Sequence, residues 1–124
     1  MILVYRRHFQ VLVIPFRAAA LGREYAVLLR QVERYWQWVA GGGEDDEDPI
    51  TAARRELDEE LGAPRVLEWW SLDVVEHISS SDFDFSGRRV ISESIPEYAF
   101  AAELDPAAKL TISDEHLDMV WVSF

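Results

Sequence analysis

The stretch Gly41-Gly-Gly-Glu-Asp-Asp-Glu47-Asp-Pro-Ile-Thr-Ala-Ala-Arg-Arg55-Glu56-Leu57-Asp-Glu59-Glu60-Leu-Gly62-Ala63 decides how the rest of this 124-residue chain is read. A glycine turn leads into an acidic run, and the run leads into a segment carrying glutamates at i, i+3 and i+4. Asp48 suits an N-cap, Pro49 the first helical position and Gly62 the C′ stop, which predicts a helix over 49–61. Ile50, Ala53, Leu57 and Leu61 form its apolar stripe. That stripe turns Glu56, Glu59 and Glu60 together toward the rim of the core, on neighbouring surface positions. Mutual repulsion of so many carboxylates costs stability, and a hard divalent cation with oxygen ligands, Mg²⁺ or Mn²⁺, is the natural neutralising partner. For an isolated Glu-x-x-Glu-Glu the ordinary reading is a solvated acidic face.

Outward from the helix the pattern is mostly strands. Residues 9–16 and 24–30 read as strands joined by small residues around 18–22, and 36–39 is a short strand running into the glycines. Beyond the helix, 66–78 reads as a long strand or a strand pair, 79–87 as a polar loop, 90–104 as a second long strand and 119–124 as a last one. Pro96 marks an edge or a bulge, and Asp105-Pro106 turns the chain. Many strands around one central helix give an α+β class with a mixed sheet, in a single domain over 1–124.

Composition narrows the function classes. Apolar residues make up 49% and aromatics 12%, which argues a folded globule. No apolar run reaches membrane-spanning length, and the first residues carry no signal-peptide pattern, so a soluble protein is expected. There is no cysteine, which rules out disulfide and thiolate chemistry and makes a cytoplasmic location the default. A net charge of −11 disfavours nucleic acid and anionic membrane as partners. A phosphate-bearing small molecule would be repelled as well unless metal ions reversed the local field.

The helical segment resembles the Nudix box of the Nudix hydrolase superfamily, G-x5-E-x7-R-E-U-x-E-E-x-G-U, where U is aliphatic. Gly41, Glu47, Arg55, Glu56, Leu57, Glu59, Glu60 and Gly62 fall in register, and only Ala63 departs from a larger aliphatic. With that many residues in place, the solvated-face reading loses to a functional one. The resemblance implies a Nudix fold, an α/β/α sandwich around a mixed sheet. In the family a second helix normally follows the last strand, and this chain stops at Phe124, so that helix is expected to be absent or truncated. Trp121, Val122 and Phe124 would then need cover, and a homodimer is expected.

By the same resemblance, Glu59 and Glu60 are metal ligands and Glu56 is a ligand or the base for the attacking water. The backbone carbonyl of Ala40 completes the metal site. Arg55 orients the glutamates, Glu47 closes the loop-to-helix junction by pairing with Arg55, and Gly41 to Gly43 let the backbone turn and approach the metal. Trp36-Gln-Trp-Val-Ala-Gly41 is similar to the lead-in of small dihydroneopterin triphosphate and dATP pyrophosphohydrolases of the family. Ser113-Asp-Glu-His-Leu-Asp-Met-Val-Trp-Val-Ser123 resembles its E-H-x-x-x-x-W-V ending. Glu115 is then either a ligand or base brought from a distant loop, or a surface glutamate; His116 is a positioning or surface residue and Trp121 is core.

An aromatic or apolar slot is needed for a base. Trp36 and Trp38 are candidates for it, with Phe83, Phe85 and Tyr98 also available, each as readily core as contact. Arg88 and Arg89 could grip a phosphate or be solvated, and His8 and His77 carry no pattern. The proline expected some sixteen residues past the box in ADP-ribose pyrophosphatases is missing, as is the tyrosine of certain diadenosine polyphosphate hydrolases. What the resemblance implies is Mg²⁺-dependent hydrolysis of a diphosphate linkage in a nucleoside triphosphate or related nucleoside diphosphate compound. The alternatives are a non-catalytic nucleotide-binding or regulatory domain of the same kind, and a purely structural acidic domain.

Overall fold

Among the described residues, seven strands and one helix follow in the order β1 (Arg6–Ala19), β2 (Gly22–Arg30), β3 (Trp36–Gln37), β4 (Val39–Glu44), α1 (Pro49–Leu61), β5 (Val66–Ser79), β6 (Ser94–Leu104) and β7 (His116–Val122). This is a computed structural model, and it describes residues 6–44, 46–79 and 94–123, with side chains at 9–44, 46–72 and 95–123. The strands form one mixed sheet. β1 runs parallel to β6 and antiparallel to β2 and β4; β5 pairs with the outer side of β6, and β2 pairs with β3 and β7. The expected α+β class with a mixed sheet is the one observed.

The helix occupies the predicted span. Asp48 Oδ1 accepts the amide of Thr51 at 2.9 Å, Pro49 opens the first turn, and Gly62 closes the last one in the left-handed region at φ 76°. A cap of this kind stabilises a helix by about 1 kcal/mol. Ala53, Leu57 and Leu61 are fully buried against β1 and β4 together with Val11, Val13, Val39, Leu28 and Phe100. Each leucine so buried contributes about 1.5–3 kcal/mol. Ala52, a position outside the predicted stripe, is buried too, and Ile50 is only partly so.

Two expectations need correction. Glu56 and Glu60 do not lie at the surface: they are 8% and 5% exposed, and only Glu59 of the three is open to solvent. The i, i+4 pair sits beside the apolar stripe and is drawn under the sheet with it. The glycines form no turn. Gly41 to Gly43 lie within β4, with Gly41 paired to Val11 and Gly42 to Gln10 of β1, and none of them has a positive φ. Space is tight there: a Cβ on Gly41 would run into the Glu56 carboxyl group and one on Gly43 into the ring of Phe9, so that a neighbour would have to move.

Pro96 fits the sheet because β1 pairs with β6 only from Glu97 onward, so at Pro96 the strand has β5 alone as a neighbour. β7 begins at His116 rather than Met119, since its ladder with β2 extends back to Arg30.

Candidate active site

Arg55 organises the acidic face of α1. Its Nε donates to Glu47 Oε2 at 2.8 Å and one terminal nitrogen to Glu47 Oε1 at 3.0 Å, a bidentate pair. The same terminal nitrogen reaches the Gly42 carbonyl at 2.8 Å, while the other lies 3.0 Å from Glu56 Oε1 and 3.3 Å from both Glu59 oxygens. The expected pairing of Glu47 with Arg55 is therefore present, and it fastens the end of β4 to the helix. Glu47 also accepts the amide of Glu44 at 2.7 Å. Hydrogen bonding from Arg55 holds the Glu47 carboxyl below the usual range, and these carboxylates push the guanidinium pKa upward.

Beside this hub lies a cavity of about 570 Å³ lined by five glutamates, Glu44, Glu56, Glu59, Glu60 and Glu115, with Arg30 as the one cation among the lining residues. Ala40, Gly41 and Gly42 of β4 form part of the wall. The carboxylate of Glu115, fifty-odd positions beyond the helix in sequence, thus does meet the helical cluster. Arg55 stays outside the lining, as an organising rather than a contacting group.

The aromatic candidates divide differently from expectation. Tyr35 and Gln37 line the cavity, whereas Trp36 and Trp38 do not; Trp38 packs edge-on to Tyr25. Alternation along the strand puts Gln37 on one face and its two neighbours on the other. Phe83, Phe85, Arg88 and Arg89 lie outside the described residues, as do Asp45, Phe124 and the side chains of His8 and His77. Gln10 and Arg30 are lining residues that sequence reading passed over. Gln10 had left a trace, as a lone polar residue within the apolar run Phe9-Gln-Val-Leu-Val.

Burial dominates the acid–base behaviour. It pushes Glu56 up to about 7, against the opposing charge and hydrogen bond of Arg55, with Glu59 and Glu115 adding to the rise. Glu60 is pushed upward for the same first reason, opposed by a hydrogen bond from Ser113 and reinforced by Glu115 and Glu56. His116 is pushed downward by burial and by the Arg30 charge. Its Nδ1 lies 2.6 Å from Glu60 Oε2, a contact that joins the imidazole to the carboxyl group. His116 is thus a buried partner of Glu60, not a surface residue.

An all-oxygen set that raises its own proton affinity suits a hard divalent cation, which would neutralise what Arg55 and Arg30 cannot. Among the described residues no three carboxylate or imidazole groups yet enclose a point where an ion could sit. Glu59 and Glu115 are the two most exposed members, with 54% and 63% of their side chains open.

The NUDIX domain family model matches residues 6–124. A candidate NUDIX hydrolase of Listeria monocytogenes is 41% identical, with a TM-score of 0.76 over 93% of this chain and 77% of that one. The dihydroneopterin triphosphate pyrophosphohydrolase of E. coli shares the fold at 21% identity, with a TM-score of 0.73 over 95% of this chain and 82% of that one. An Ap4A hydrolase of C. elegans does so at 19%, with a TM-score of 0.67 over 91% and 77%. No curated protein matches the sequence.

Proposed function

This chain belongs to the NUDIX family and is a hydrolase of that family, and from this premise we propose that it cleaves a diphosphate linkage in a nucleoside triphosphate or related nucleoside diphosphate compound, with Mg²⁺ or Mn²⁺ as cofactor. The observation that carries the reading is the convergence of Glu56, Glu59 and Glu60 from α1 with Glu115 from the β6–β7 connection on one cavity. Two proteins of the same fold are named for acting on Ap4A and on dihydroneopterin triphosphate, which supports a substrate with a chain of phosphates.

Glu56, Glu59, Glu60 and Glu115, with the carbonyl of Ala40, are the groups that would hold the metal; when bound, it neutralises phosphate oxygens and acidifies water. Water adds to one phosphorus, the bond to the bridging oxygen breaks, and the departing phosphate carries the negative charge away. The proton of the water passes to a carboxylate, for which Glu56 and Glu115 are the candidates. The raised proton affinity of Glu56 suits that task near neutral pH. Arg55 keeps Glu56 and Glu59 in place from outside the cavity, and Arg30 provides positive charge to a phosphate within it. Tyr35, Gln37 and Gln10 form the remaining wall, where the non-phosphate part of the substrate would lie.

Among the described residues no helix is long and apolar enough to cross a membrane. A cytoplasmic enzyme accords with the absence of cysteine. A homodimer accords with exposed Leu117 and Val120 on β7, which among the described residues pairs with β2 alone. The deciding experiment is a panel of nucleotides assayed for pyrophosphate or phosphate release with and without Mg²⁺. Metal-dependent release from one or more members supports the reading. Binding of nucleotides without any turnover would replace it with a purely ligand-binding domain.

A further inference from the structure

Glu60 is held from behind. Ser113 Oγ donates to Glu60 Oε2 at 2.9 Å, and His116 Nδ1 approaches the same oxygen at 2.6 Å. Both groups come from a segment more than fifty residues away in sequence, and His116 has 1% of its side chain exposed. The backbone fixes that segment independently of the side chains. The Thr111 amide donates to the Leu61 carbonyl at 3.0 Å and the Ser113 amide to the Glu60 carbonyl at 3.2 Å, which caps the C-terminal end of α1. The His116 amide returns to the Ser113 carbonyl at 3.1 Å, closing a turn that sets the two side chains next to each other. Ser113 Oγ also accepts the Glu115 amide at 3.4 Å. One hydroxyl thereby touches both Glu60 and the backbone of Glu115.

We propose that Ser113 and His116 are positioning residues that fix Glu60 through its Oε2, leaving Oε1 as the oxygen Glu60 presents to the cavity. The proposal rests on the reading of Glu60 as a metal ligand given above. A buried glutamate has three side-chain torsions to restrain, and Ser113 and His116 hold one of its two oxygens from the protein side. The arrangement needs a donor at the imidazole Nδ1 and holds for either charge state of the ring. Partners of this kind, one step removed from the ion, change metal affinity by about 10–100-fold when removed.

The test titrates Mn²⁺ alone into the folded protein, following free Mn²⁺ by electron paramagnetic resonance, for wild type, S113A, H116L, H116N and E60Q. H116L should weaken binding by about 10–100-fold and S113A by about 3–10-fold. H116N, whose amide nitrogen replaces Nδ1, should recover most of the loss. In turnover, the metal concentration for half-activation should rise in H116L while the nucleotide KM at saturating metal stays within about threefold of wild type. A merely structural role would lower the melting temperature without this split. Wild-type Mn²⁺ affinity in both H116L and S113A, with E60Q impaired, overturns the positioning role alone. Unimpaired Mn²⁺ binding in E60Q overturns the ligand reading and this inference with it. Should H116L fail to fold, S113A decides, since it removes one hydroxyl from a partly exposed site.

Discussion

Removing the charge of Glu56 should stabilise the metal-free protein, by an amount set by pH. Burial raises the Glu56 pKa from 4.5 to about 7. A carboxyl group whose folded pKa is raised favours the folded state fully below its unfolded pKa, and that stability is lost as pH rises through the folded value. At pH 8 the ionised side chain therefore costs about 3 kcal/mol, of which about 2.5 kcal/mol develops between pH 5 and pH 8. Glu56→Gln is neutral at every pH and avoids that cost, but it gives up the charge-assisted part of the Arg55 contact at 3.0 Å. The expected net gain is about 1–3 kcal/mol at pH 8 and close to zero at pH 5, or roughly 3–10 °C in Tm at the higher pH. Thermal and urea melts of both proteins in EDTA, repeated with millimolar Mg²⁺, measure it. Added metal should stabilise wild type more than the variant, because the cation relieves the same repulsion. A variant less stable than wild type at pH 8 in EDTA, or a difference that does not change with pH, would refute the view that burial of the Glu56 charge strains the empty site.

Glu59→Gln and Glu60→Gln should each lose about 10³-fold or more in metal-dependent turnover with unchanged circular dichroism; undiminished activity in either removes that residue from the site. Gly41→Ala should displace the Glu56 carboxyl group, costing about 1–3 kcal/mol by melting and most of the activity, with the stability recovered in Gly41→Ala combined with Glu56→Ala. Arg55→Lys keeps the charge but cannot span Glu47, Gly42 and Glu56 together, so about 1–3 kcal/mol of stability should go; a wild-type melting curve contradicts this. Sedimentation at tens of micromolar should find a homodimer, and a clean monomer without aggregation would refute it.

The helix was legible because its limits are written locally, in Asp48, Pro49 and Gly62, and its cluster because i, i+3 and i+4 spacing is a property of any helix. The glycines were legible as necessary but not for the right reason. Sequence shows the missing Cβ atoms, not the Glu56 and Phe9 groups that occupy their space. The cavity lining departs from expectation around one strand, since face choice depends on the register of two-residue β3 against Leu28 and Leu29, a long-range fact. Trp36 and Trp38 drew attention by their size, while Tyr35 and Gln37 between and beside them line the cavity. The Ser113–His116 grip on Glu60 joins segments that only the folded chain brings together.

The connection from β6 to β7 has no regular structure of its own, yet it is not uniformly tolerant of changes in length. Its first residues turn on Asp105, whose carbonyl accepts Ala108 and whose carboxylate accepts Ala107. From Thr111 onward every second residue is fastened elsewhere: Thr111 to Leu61, Ser113 to Glu60, and Glu115, through its carbonyl, to the amide of Gln31. Residues can be inserted or deleted around 106–109 with only local rearrangement of an exposed turn. A single insertion between 111 and 115 moves Glu115 by one step along a track anchored at both ends, so either the helix cap or the β2 contact must break to accommodate it. Length variation among natural relatives of this chain is therefore expected ahead of Leu110, with the five positions after it held constant.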